Sequence, residues 1–169
     1  TYATHKLAPH ARMRRAKTAL DGGDEATYAK LLTALPFDYP TSPQVNDGLF
    51  DLGVHYAEKR LWAAAIPPLS QAYELEKDKR ERVFHAAGRF GYFLGRALIE
   101  TGSEAKGKEY LAGVIQNYPL TYYMALSYAR LSERDPAAAK KAVEDALARE
   151  TAEAHPELVR IERLRHVVV

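Results

Sequence analysis

Three times along this chain a large apolar residue is followed at once by a small one, and a second small residue comes thirteen positions after the large one. The three sets are Leu52-Gly53 with Ala65, Leu94-Gly95 with Gly107, and Leu126-Ser127 with Ala139. The first two sets lie 42 residues apart, and the same offset places Leu69 on Leu111 and Ala72 on Val114. The third set follows 32 residues later and continues with Val143 and Ala146. Small residues recur in this way where two helix backbones approach too closely for a longer side chain, while Leu and Tyr fill the groove beside them. A paired-helix unit of this length cannot bury its apolar face alone, so copies must stack.

Turn residues cut the chain at short intervals, and the segments between them carry helical period. One helix runs from about Pro9 to Leu20 and stops at Gly22-Gly23; Asp24 is placed to cap the next, with Ala26, Ala29 or Leu31, Leu32 and Leu35 on its inner side. A linker of turn formers from Pro36 to Pro43 follows, with Ser42 as cap and Pro43 at the first position of a helix holding Val45, Leu49, Leu52, Gly53 and Tyr56. The next helix, from about Leu61 to Glu76, contains Pro67-Pro68, whose missing donors and ring clashes predict a break near Ile66. A long helix is expected from about Lys79 to Glu100, then one capped by Ser103 and running to Asn117. The last pair spans about Leu120 to Leu131 and, opened by Asp135-Pro136, on to about Arg149.

This spacing resembles the tetratricopeptide (TPR) hairpin. The expected fold class is all-α, a right-handed α-α superhelix of TPR-like hairpins. The expectation is one helical-repeat domain over 1–169, with hairpins at about 9–35, 44–77, 79–117 and 120–149 and a C-terminal helix at 155–165. The first hairpin does not align cleanly with the others, as suits a terminal unit.

Composition excludes several functions. The chain is 47% apolar and 27% charged, as a folded protein is, and no stretch approaches the roughly 20 uncharged apolar residues of a membrane helix. Its 24 basic and 22 acidic residues are interspersed, which gives no phosphate-tracking surface, so nucleic acid is not an expected partner. The absence of cysteine excludes disulfides, thiolate zinc sites and a thiol nucleophile, and is compatible with an oxidising compartment. His5, His10, His55, His85, His155 and His166 are dispersed without i, i+4 pairing, and Gly22-Gly23 lacks a following Lys-Ser/Thr. Neither metal nor cofactor is expected. Opening on Thr1 without an apolar leader, the chain reads as processed or as part of something longer.

Two stretches carry a more specific resemblance. One is Tyr92-Phe93-Leu94-Gly95-Arg96-Ala97-Leu98, ending in Glu100-Thr101-Gly102 and followed by Ala105 and Leu111. The other is Asn117-Tyr118-Pro119-Leu120-Thr121-Tyr122-Tyr123-Met124-Ala125-Leu126, continuing to Ala129-Arg130-Leu131. In this order they resemble the superhelical domain of soluble lytic transglycosylases, periplasmic enzymes that cleave peptidoglycan glycan strands. Thr121 stands where that family usually has Ser, and Met124 where it often has a small residue. The match covers Phe90 to Leu131. The family's catalytic Glu-Ser dipeptide and its Gly-Leu-Met-Gln stretch do not occur in this chain. The resemblance therefore implies the non-catalytic domain of a periplasmic transglycosylase, positioning glycan or docking the catalytic domain. A TPR-type protein-interaction adaptor of the bacterial cell envelope is the alternative.

No catalytic residue is assigned. Glu100 and Glu104 flank the Thr101-Gly102 turn and read as solvated residues at helix ends rather than as a general acid. The candidate binding residues are Tyr118, Tyr122 and Tyr123, with Tyr128 in the same aromatic group. Tyrosine rings stack on the apolar faces of sugars while their hydroxyls make hydrogen bonds. Tyr122 and Tyr123 point to different sides of their helix, so at least one of them is expected to pack in the core between hairpins. Arg89, Arg96 and Arg130 are the candidate carboxylate ligands, suited to peptidoglycan stem peptides. The expected partners are peptidoglycan or a protein or catalytic-domain partner.

Overall fold

A computed structural model of the chain describes residues 5–76 and 86–154. Their regular secondary structure is all helix, with no strand among the described residues. The elements are α1 (Ala8–Asp21), α2 (Glu25–Thr33), α3 (Leu35–Asp38), α4 (Gln44–Glu58), α5 (Trp62–Glu76), α6 (Arg89–Glu100), α7 (Glu104–Asn117), α8 (Tyr122–Arg134) and α9 (Pro136–Ala154). None of these helices is long and apolar enough to cross a membrane.

One loop conformation joins three of the helix pairs. After α1, Gly23 N–H donates to Leu20 O at 2.9 Å and Asp24 N–H to Ala19 O at 2.8 Å. After α4 the same two bonds run from Arg60 to Ala57 and from Leu61 to Tyr56, at 2.9 and 2.8 Å. After α6 they run from Gly102 to Ile99 and from Ser103 to Leu98, at 3.0 and 2.8 Å. This is the Schellman arrangement, which satisfies the last carbonyls of a helix by turning one residue left-handed. That residue is Gly23 (φ 82°), Arg60 (φ 58°) and Gly102 (φ 88°) in turn. In each case the next residue begins the second helix, its carbonyl accepting from the residue four positions on: Asp24 from Tyr28, Leu61 from Ala65, Ser103 from Gly107.

Numbering from that first residue brings the hairpins into one register. Positions four, eight and eleven further on are Tyr28, Leu32 and Leu35; Ala65, Leu69 and Ala72; Gly107, Leu111 and Val114. From Asp135 they are Ala139, Val143 and Ala146. All are buried except Val143, which is half-buried. The matching small position on the preceding helix is Ala16, Gly53, Gly95 and Ser127, all buried. The first hairpin thus aligns with the others, against expectation. Arg15 and Tyr28 stand in its large and small positions, which hides the match in a comparison of residue sizes.

The described residues fall into two compact units, one drawn from Thr1–Arg82 and Phe93–Gly107, the other from Val83–Tyr92 and Lys108–Val169. In the first, α1 packs on α2 and α4 on α5, while α1, α2 and α3 also contact α4. Close approach explains its glycines. A Cβ on Gly48 would lie 2.4 Å from Leu35 Cδ1, and one on Gly53 2.5 Å from Leu69 Cγ. A Cβ on Gly107 would lie 2.6 Å from the Gly95 carbonyl oxygen. In the second unit α8 packs on α9, and Leu111, Val114, Ile115, Leu131, Ala139 and Ala142 are buried. Each fully buried Leu or Val contributes about 1.5–3 kcal/mol relative to exposure.

Several expected boundaries are corrected. Helix α5 runs without a break through Pro67 and Pro68. The two prolines remove donors to the carbonyls of Ala63 and Ala64, both exposed residues in the first turn, where water can serve instead. Ser42 does not cap α4; its hydroxyl donates to Gln44 Oε1 at 2.7 Å and its carbonyl accepts from Val45. The Pro36–Pro43 linker opens with the helical turn α3. The helix expected from Lys79 begins at Arg89, because Ala86–Gly88 form a turn with Gly88 at φ 87°. The remainder of that expectation, over 79–85, lies outside the described residues, as does the C-terminal helix at 155–165. Helix α8 begins at Tyr122 rather than near Leu120, whose φ is 61°.

Candidate functional site

The tyrosine-rich stretch is shaped by a turn and a cap. At the end of α7, Asn117 Nδ2 donates to Gly113 O at 2.7 Å, and its Oδ1 accepts from Arg149 at 2.9 Å. The chain then turns through Tyr118 to Leu120. Thr121 closes the turn: its hydroxyl donates to Tyr118 O at 2.8 Å and accepts the Met124 N–H at 3.2 Å. This is an N-cap, worth about 1 kcal/mol, and it is a role that Ser and Thr share. The Thr for Ser departure in the transglycosylase-like motif is thereby a substitution between two capping residues.

With the cap in place, Tyr122 is 63% exposed while Tyr123 turns inward. Tyr123 is half-buried rather than part of the core. The Tyr123 ring centroid lies 5.7 Å from that of buried Tyr92, and Tyr122 meets Tyr123 edge-on at 5.2 Å. Gly88 seats this cluster. A Cβ there would fall 2.8 Å from Val114 Cγ1 and 3.4 Å from both Tyr118 Cδ2 and Tyr123 Cβ. Glycine at this left-handed position therefore lets the chain lie directly against the two tyrosines.

The cations are arranged around the same rings. Arg89 follows Gly88, with its guanidinium 4.7 Å from the Phe90 centroid. Burial pushes the Tyr123 phenol up from its ordinary range; the positive charge of Arg89 opposes this, and Tyr122 and Tyr92 reinforce it. Arg130 donates to both oxygens of Glu133, at 3.0 and 3.3 Å, and also hydrogen-bonds Tyr92; these partners hold it charged. Five of the six candidate residues, Arg89, Tyr118, Tyr122, Tyr123 and Arg130, thus belong to the second unit. Arg96 belongs to the first unit, where its guanidinium lies 5.1 Å from the Trp62 ring centroid.

Two residues at the centre of the cluster, Tyr92 and Gly88, were not among the candidates. The aromatic run Phe90, Tyr92, Phe93 beside Gly88 is the signal that could have found them. Tyr128, from the same aromatic group, lines a different feature. With Met124, Ala125, Val143 and the stems of Lys140 and Glu144 it borders an apolar groove of about 490 Å³ on α8 and α9.

The arrangement offers aromatic faces, phenolic hydroxyls and guanidinium groups, which is the chemistry of binding. A general acid needs a carboxyl with a raised pKa. Among the described residues the shifted carboxylates go the other way: the Thr27 side chain and then its N–H lower Asp24, and Lys59, with His55, lowers Glu25. Glu100 and Glu104 are exposed. Among the described residues no group of three or more His, Cys, Asp or Glu side chains is placed to hold a metal ion. No family model, curated protein or solved structure matches this chain.

Proposed function

We propose that this chain is the non-catalytic superhelical domain, built of TPR-like hairpins, of a periplasmic peptidoglycan lytic transglycosylase, and that it positions a glycan strand or docks the catalytic domain. One observation carries the reading. The stretch that resembles the transglycosylase motif is the stretch whose Tyr118, Tyr122 and Tyr123 gather with Arg89, Tyr92 and Arg130 in one unit. An exposed tyrosine beside an inward one gives a ring face for a sugar, and the nearby guanidinium groups suit the carboxylates of stem peptides. The recurring hairpin loop supports stacked repeats, whose extended surfaces suit a polymeric ligand.

Retention on purified sacculi tests it. The chain is expected to co-sediment with sacculi at low salt, and Tyr122→Ala, which alters an exposed ring, is expected to weaken retention roughly tenfold, as loss of a stacking contact worth about 1–1.5 kcal/mol does. No retention of the parent chain at low salt would rule out glycan binding.

A second reading, an envelope adaptor that binds another protein, is favoured by the exposed apolar groove on α8 and α9 bordered by Met124, Tyr128 and Val143. Such a groove takes the apolar face of a partner helix. On that reading Tyr128→Ala, rather than Tyr122→Ala, disrupts binding, and sacculi retain neither variant nor parent.

A further inference from the structure

A large side chain recurs three residues before the small position on the first helix of successive hairpins: Phe50 before Gly53, Tyr92 before Gly95 and Met124 before Ser127. The first two of these side chains are met by an aromatic ring from the first helix of the following hairpin. Within the first unit the Phe93 ring stands edge-on to Phe50, with centroids 5.5 Å apart, and within the second Tyr123 lies 5.7 Å from Tyr92. Met124 belongs to the last described hairpin, and there the same position borders the apolar groove of about 490 Å³ on α8 and α9.

The groove runs along a second apolar face of α9. Ala139, Ala142 and Ala146 form the first face and are buried. Val143 lines the groove half-buried, and Leu147, four residues further along the same face, is 59% exposed. Across from them on α8, Tyr128 is 42% exposed. A helix that is apolar on two faces is the pattern of a repeat with a further helix stacked on it.

The chain itself continues with such a pattern. Leu158, Ile161, Leu164 and Val168 recur at i, i+3, i+6 and i+10, with Glu157, Arg160, Glu162 and Arg163 between them. Pro156 cannot continue α9, which is where a reversal of direction is required. From Val143 to Ala154 α9 rises about 16 Å, and a helix over 157–168 measures about 18 Å, so an antiparallel return brings Leu164 abreast of Leu147. Only His155 and Pro156 intervene, which gives the segment an effective concentration at the groove on the order of millimolar and favours it over a dilute second copy or a foreign helix.

We propose that the groove is the seat of the chain's own C-terminal segment, residues 157–168, whose Leu158, Ile161 and Leu164 cover Met124, Tyr128 and Leu147. The inference is independent of the glycan reading. Where it holds, the groove of the full chain is closed to the partner helix of the adaptor reading.

The absence of cysteine makes the test clean, since each double variant of the full chain then holds a single thiol pair. Leu147→Cys with Leu164→Cys should form an intramolecular disulfide roughly tenfold faster than Leu147→Cys with Arg163→Cys, because a bridge needs facing Cβ atoms and Arg163 lies off the apolar stripe. In a segment that is only tethered, the two neighbouring positions react alike. In the full chain, Ile161→Asp should also speed hydrogen exchange of the amides from Val143 to Leu147 roughly tenfold while those of α4 and α5 keep their rates. Equal rates for the two thiol pairs, or exchange unchanged by Ile161→Asp, would overturn the proposal. So would disulfides formed only between chains, which would make a second copy the occupant, or no disulfide in either pair, which would leave the groove to another protein.

Discussion

Gly107 and Gly113 both lie on α7, yet replacing each by alanine has opposite expected outcomes. A methyl on Gly107 would meet Ile99 Cγ1 at 2.5 Å and the Gly95 carbonyl oxygen at 2.6 Å, and a backbone oxygen cannot swing aside. Gly107→Ala is expected to cost about 1–3 kcal/mol, the usual range for overpacking. Around Gly113 the nearest atom is Asn117 Nδ2 at 3.9 Å, so Gly113→Ala is expected to stabilise by about 0.5–1 kcal/mol through helix propensity. Urea denaturation of the two variants checks both signs. The first glycine's role was legible in the sequence, since it repeats as Ala65 and Ala139. Gly88 was not, because its neighbours Val114, Tyr118 and Tyr123 come from elsewhere in the chain.

At the level of the element, the recurring loop makes two predictions. Arg60 occupies the left-handed position that glycine fills after α1 and α6, and a non-glycine residue pays about 1–2 kcal/mol there. Part of that strain is offset by the greater freedom glycine has when unfolded. Arg60→Gly is therefore expected to stabilise by roughly 0.5–1 kcal/mol, measured as a rise in Tm. The second prediction concerns Asp24, whose carboxylate accepts the Thr27 N–H at 2.9 Å and is held below its ordinary range by the Thr27 side chain first and by that backbone bond second. A group whose folded pKa is depressed adds stability above its unfolded pKa and loses it as pH falls through the folded one. The Tm deficit of Asp24→Ala should thus be present at pH 7 and fade below about pH 4. Asp24→Asn caps without titrating and should show a smaller deficit at neutral pH. Asp24 was read correctly from sequence because an N-cap is local chemistry. The unbroken α5 was not, because whether a proline ends a helix depends on whether the freed carbonyls reach water.

Along the described residues, buried side chains recur at the same register positions of successive hairpins. Leu32, Leu69 and Leu111 occupy one register position and are buried alike, and Leu35, Ala72, Val114 and Ala146 occupy another. This distribution was legible from the thirteen-residue spacing in three hairpins and hidden in the first, where Arg15 and Tyr28 stand in for the large and small residues. Sequence comparison weighed side-chain size, whereas the repeating quantity is position relative to the loop, and a tyrosine can take a position that alanine and glycine hold elsewhere when its ring has a cleft to line. A chain that forms one globular core concentrates its slowest-exchanging amides in a single contiguous cluster, whereas stacked repeats carry protection maxima at the period of the repeat. Native-state hydrogen exchange is therefore expected to show separate maxima near Leu32, Leu69 and Leu111, each flanked by fast exchange at Gly23, Arg60 and Gly102. Val143 holds the same register position but is only half-buried, so the maximum near it should be lower than the other three. One broad maximum confined to α4 and α5, with the remaining helices exchanging freely, would contradict the repeat reading and with it the superhelix on which the proposed function depends.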